Sequence, residues 1–362
     1  MVASRSSRSD TADAVNSSVD SFRIKEPTID TQQRSRLQSA KLRALLTQHL
    51  ESEIPLPISV GSGAGVIVET NEGASSWVLG EGERCLGPSV IWSQRHDVVS
   101  INVAIDDVDV AAVVARRASA FALPLRIWRI EGKTLVPATP ASMSMESTMS
   151  TEAQTFLELL QANGLDVIVE QGSLRGELRG LEIARVIDTE DGARLEVGVG
   201  RHDREAFTMV HGNIPPAEAL SRVVESVAAV RKVDAHAHPL RRLAPEGWMR
   251  WRLLREPELV NAQFLEPIAS PMTVESVNDV APSFALGRTS SGTPLIVACS
   301  VGVDPDVVPA AADARLCYDA AAQLVIVVPE RDAHPVTQRL ANALQEPAEI
   351  ITLPGEWRGA DS

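Results

Sequence analysis

Arg201-His202-Asp203-Arg204-Glu205, with Glu196 before it and His211 after it, is the densest group of titratable side chains in the chain. A histidine beside carboxylates can exchange protons near neutral pH. Two arginines so close can hold an anion through paired N–H donors. The group follows Gly198 and Gly200 at the end of a strand-like run, where α/β proteins place functional loops. Arg201, His202, Asp203, Arg204 and Glu205 are therefore the candidate binding residues. The plainer reading of the same string is an exposed turn whose ion pairs cancel one another and contribute little.

Two other constellations stand out. Asp188 or Asp191, followed by Glu196 across a turn, gathers carboxylates on one hairpin. Further on, Asp234-Ala-His236-Ala-His238 resembles the strand-end motif of amidohydrolases, which implies a divalent metal on His236 and His238. Against that resemblance, too little chain follows for a barrel of ~250 residues. The only later histidine is His334, so the ligand set is incomplete. The expectation is a chain with no resident metal or cofactor, Mg²⁺ entering only if the nuclease alternative given below holds.

The elements that would position these groups can be read in order. Residues 1–33 are rich in Ser and charge and poor in hydrophobes, as in a disordered tail. Leu37, Leu42, Leu45, Leu46 and Leu50 lie at helical spacing, and β-like runs follow at 65–69, 77–79, 89–92 and 98–105. Asp106-Asp107 then caps a helix, and a strand at 125–130 closes a first unit over 34–131. Residues 132–150 read as a linker. A second unit, 151–237, reads as helix, three strands (166–170, 181–187, 194–199) and helix. A third, 238–357, holds the apolar run 294–301 and alternates strands with helices. Asp332, in Glu330-Arg331-Asp332, is read as a helix N-cap. The predicted fold is thus α/β, in two or three small units with mixed or partly parallel sheets behind a disordered tail.

Val66-Ile67-Val68-Glu69 recurs as Val167-Ile168-Val169-Glu170, and Arg95-His96-Asp97 as Arg201-His202-Asp203. These strings are compatible with a duplication relating the first two units. The order α, β-β-β, α, β, with Asp188 or Asp191 and then Glu196-Val197-Gly198, resembles the restriction-endonuclease-like PD-(D/E)XK superfamily. That resemblance implies paired carboxylates on Mg²⁺ and a lysine two residues beyond the second acid. Gly198 stands where the lysine would be, so the resemblance implies a degenerate, non-catalytic relative.

Composition narrows the function classes. A net charge of −14 opposes generic binding to nucleic acid, whose affinity comes from clustered Lys and Arg. Cys85, Cys299 and Cys317 are widely spaced in apolar surroundings and read as buried thiols of a reducing compartment. No apolar run approaches the ~20 residues of a membrane helix, and no secretory h-region is present. The expectation is a cytoplasmic, non-catalytic binding or regulatory protein, with a protein partner or self-association and no membrane. The alternatives are a Mg²⁺-dependent nuclease or phosphodiesterase using Asp188, Asp191 and Glu196, and a metal hydrolase using His236 and His238.

Overall fold

The computed structural model describes residues 31–355 and 357, except 62, 144–148, 171, 191, 212–213, 233–237 and 274–278. The fold is α/β with three sheets. The first unit comprises α1 (Thr31–Leu50), β1 (Ile58–Val60), β2 (Gly63–Thr70), β3 (Gly73–Leu79), α2 (Leu86–Ser93), β4 (Ser100–Ile105), α3 (Val108–Ala118), β5 (Leu125–Glu131) and β6 (Thr134–Pro137). Its six strands lie in chain order, with β3, β4 and β5 mutually parallel and the other neighbours antiparallel. Asp107 caps α3 as expected, its carboxylate accepting from the amides of Asp109 and Val110.

Two expectations fail in this unit. Ser89–Trp92 is the core of helix α2 and not a strand. The supposed linker contains β6, and Ala138 and Ala141 beyond it donate to the carbonyls of Ile127 and Ala112.

The middle unit comprises α4 (Thr151–Gln154), α5 (Leu157–Ala162), β7 (Asp166–Glu170), β8 (Ser173–Leu178), β9 (Leu181–Thr189), β10 (Gly192–Val197), α6 (Gly200–His211) and α7 (Pro216–Val230). It holds four strands where three were expected: Ser173–Leu178 escaped notice because arginine, glutamate and glycine interrupt its apolar residues. The sheet is a fully antiparallel meander. One face is apolar, with Leu174, Leu181, Ile183 and Val186 packed beneath Leu160 of α5 and Leu220 and Val227 of α7. The short helix α8 (Pro239–Arg242) belongs with this core through Leu240, Leu243 and Ala244. Residues read from sequence as the start of the third unit thus pack on the middle core.

The third unit comprises α9 (Pro245–Arg255), β11 (Ala262–Ile268), β12 (Ser283–Thr289), β13 (Pro294–Cys299), α10 (Val307–Tyr318), β14 (Gln323–Pro329), α11 (Pro335–Asn342) and β15 (Glu349–Leu353). Its sheet runs β11-β12-β13-β14-β15, with β13, β14 and β15 parallel. Strand, crossover helix, strand, crossover helix, strand repeats what β3-α2-β4-α3-β5 does in the first unit. The repeat in topology thus relates the first and third units, not the first and second. The recurring strings do not track it: Arg95-His96-Asp97 lies in a turn after α2, whereas Arg201-His202-Asp203 lies in α6.

The four crossover helices α2, α3, α10 and α11 form one layer between the two mixed sheets. Reciprocal bonds tie the corners after α3 and α11: Ala122 donates to Ala343, and Gln345 to Ala120. On the outer faces, Leu42, Leu45 and Leu46 of α1 cover the first sheet, and Met249 and Leu253 of α9 cover the third. A helix apolar all round belongs in such an interior, and Ala310, Ala311, Ala312 and Ala314 of α10 are wholly buried. Asp313 among them is equally buried and accepts from Arg116 and Arg117 of α3 at 2.6–3.0 Å. Among the described residues, no helix is long and apolar enough to cross a membrane.

Candidate functional site

The other face of the middle sheet is charged. Period-2 alternation sends Leu174 and Val186 into the core, so Arg175, Glu177, Arg185 and Glu196 project from the opposite side. An irregularity in pairing between β8 and β9 brings Glu182 onto that side as well. This face forms the floor of a cleft of about 460 Å³. The start of α6 stands along one edge. Glu246 and Arg250 of α9, with Asp279 and residues 281–284, form the wall contributed by the third unit.

Charges of both signs are spread over all four strands and pair with one another. Glu170 of β7 pairs with Arg175 of β8. Glu182 of β9 takes Arg175 at 3.4 Å, Arg185 at 2.9 Å and Arg204 of α6 at 2.9 Å. Glu196 of β10 pairs with Arg194 at 2.8 Å and lies 3.9 Å from Arg204. Across the cleft, Arg250 pairs with Glu177. Arg175 and Arg185 are directly opposed across β8 and β9, as are Glu177 and Glu182. Such like pairs are destabilising unless other charges intervene, and here Glu182 bonds both arginines while Arg250 holds Glu177.

Burial sets the proton affinities in this array. It pushes the Glu170 carboxyl upward, Arg175 opposing and Glu182 adding to the shift. It pulls the Arg204 guanidinium downward against the attraction of Glu182. Arg185 moves upward: burial, the largest single influence, would lower it, but the hydrogen bond to Glu182 together with the charges of Glu182, Glu170 and Glu196 outweighs that cost.

The sequence-predicted binding residues divide. Arg201, His202, Asp203 and Arg204 all line the cleft. They do so from the first turns of α6 and not from a loop, because Asp203 closes the helix N-terminus by accepting from the Val199 amide at 2.7 Å. Arg204 points inward to Glu182 and is buried. Arg201, 82% exposed, pairs with Glu205 one turn on, and that bond holds the Glu205 carboxyl below its ordinary range. His202 is 99% exposed and 3.8 Å from Glu205.

The nuclease acids do not converge. Asp188 is opposite Ala193, and Glu196 is opposite Arg185, three register positions away. That is roughly 10 Å along the hairpin at ~3.3 Å per residue, and the odd offset puts the two acids on opposite faces. Asp188 is exposed and accepts from Ser150 at 2.8 Å. Asp191 lies outside the described residues.

His236 likewise lies outside them, while His238 caps α8 by accepting from the Leu240 amide at 3.2 Å. Among the described residues, no group of three or more His, Cys, Asp or Glu is placed to hold a metal ion. Asp332 is not the expected cap: it accepts from Gly302 at 2.6 Å, and His334 caps α11.

Sequence reasoning missed Glu170, Arg175, Glu177, Arg185 and Arg250. The signal was present as charge on alternate strand positions, but only the folded meander shows that those positions share one face. Comparison of the chain with protein-family models, curated proteins and solved structures gave no match.

Proposed function

We propose that the protein is a non-catalytic binding module and that a charged segment of a protein partner docks in the cleft over the middle sheet. The observation that carries this reading is the mixed-charge array Glu170, Arg175, Glu182, Arg204 and Glu196, which is paired before any partner arrives. A pre-organised polar surface saves a partner the free energy of ordering side chains. Complementary charge gives selectivity and encounter rate more than raw affinity. The acids among these arginines also disfavour a polyanion such as nucleic acid, in keeping with the chain's overall charge.

A photo-crosslinking residue at His202, on the cleft rim, tests the reading against the same residue at Lys133, exposed on a turn of the first unit. The expected result is one protein crosslinked from position 202 and not from 133, with at least tenfold weaker capture when Arg185→Glu reverses a cleft charge. Equal crosslinking from both positions, or capture indifferent to Arg185→Glu, would overturn it.

A further inference from the structure

The joint between the first and third units contains a buried acid used by nothing in the cleft. Asp306 occupies the N-cap position of α10 but makes no side-chain bond to its own helix. Its carboxylate instead accepts from the Gly87 amide of α2 at 3.0 Å, across 219 residues of sequence. The approach is tight, since a Cβ on Gly87 would lie 2.2 Å from the Pro305 carbonyl oxygen. Asp306 thus bonds the first turn of the other unit's helix in place of its own.

We infer that Asp306 makes the joint between the two outer units a pH-sensitive clasp, tighter in mild acid and looser in mild alkali. The surroundings decide the sign. Asp304, itself buried, bonds the Asp306 amide at 3.0 Å and pairs with Arg84 at 2.7 Å. From α3, Arg117 faces the joint but is already committed to Asp313 of α10 and to Glu83. Arg116, its neighbour, is likewise held by Asp313. The Cys85 thiol, pushed up to about 12 mainly by burial, stays neutral beside Asp306. Among the described residues no guanidinium is therefore bonded to Asp306 itself, and its charged form is favoured by one backbone N–H and, from farther off, by Arg84 and Arg117.

Burial, with Asp304 adding and the Gly87 amide, Arg84 and Arg117 opposing, raises the Asp306 carboxyl to about 7 from 3.8. A carboxyl with a raised folded-state pKa binds its proton more tightly folded than unfolded. Its stabilisation is full below the unfolded value and is lost as pH rises through the folded value. Between pH 6 and 8.5 that loss amounts to about tenfold in the unfolding equilibrium.

Chemical denaturation of the full chain at pH 6 and 8.5, for the native protein and Asp306→Asn, measures the effect. Asparagine keeps an acceptor for the Gly87 amide and cannot titrate. The expected result is an unfolding constant that rises about tenfold more in the native protein than in the variant over this interval. Hydrogen exchange over residues 85–90, corrected for its intrinsic pH dependence, should show the same difference. Identical pH dependence of the two proteins would overturn the proposal. If Asp306→Asn does not fold, a ¹³C carboxyl titration of the native protein decides: a midpoint above 6 supports the clasp, and one at or below 6 refutes it.

Discussion

Arg231 shows how much a single side chain can organise here. It is fully buried, and its guanidinium donates to the carbonyls of Arg179, Leu240, Leu243 and Ala244 at 2.8–3.1 Å. The ring of Trp248 lies 4.7 Å from its centre. Burial lowers it to about 10, Glu177 opposing, so it remains cationic at neutral pH. Removing it takes a charged donor from four carbonyls of half-buried residues, each loss costing about 1 kcal/mol. Arg231→Met is expected to destabilise the chain by at least about 3 kcal/mol, measured as a lower urea midpoint, and Arg231→Lys should recover only part because it cannot span the four carbonyls. A loss under about 1 kcal/mol would mean that the carbonyls find other donors. Glu196→Gln tests the other reading of the hairpin. With Asp188 on the opposite face, we expect neither the native protein nor the variant to cleave DNA with Mg²⁺. Cleavage abolished by the substitution would reinstate the nuclease alternative.

At the scale of elements, Gly180 and Gly247 set how the middle unit meets α9. Gly180 sits at φ +72°, and a Cβ there would lie 2.0 Å from the Gly247 carbonyl carbon and oxygen. Gly180→Ala should therefore disturb the cleft as well as stability, weakening crosslinking from position 202 while leaving α2 protected from hydrogen exchange. Unchanged crosslinking would show that the junction tolerates the displacement.

Elements whose signals are local were readable from sequence. Asp107 caps α3 because an aspartate before an apolar helical stripe has few better uses, and the apolar run in β13 is typical of a strand buried on both faces. Misreadings came where tertiary packing overrides local preference. Ser89-Val90-Ile91-Trp92 has strand-like residues, yet it folds as a helix against α10 and α11. The cleft was half legible for the same reason. Arg201 to Arg204 are contiguous in sequence, whereas Glu170, Arg175, Glu182 and Arg250 meet only after the meander and α9 are in place.

For the molecule as a whole, the middle unit is an insertion between two structurally similar halves that share one helical layer. The order in which the chain leaves a ribosome then matters. When α2 and α3 have emerged, the residues that cover them, on α10 and α11, are still far off: Arg116 and Asp313 are 197 residues apart. The middle unit has its own core and can close meanwhile, so the first unit must wait with an apolar flank bare. Long-range pairing of this kind is slow and leaves intermediates prone to association. A chain ending at residue 244 should accordingly bind a hydrophobic dye and aggregate unless the missing half, residues 245–362, is supplied in trans. Release of that truncated chain as a well-behaved monomer would show that the first unit closes alone. In a cell, the interval before α10 is synthesised is when this protein has most need of a chaperone.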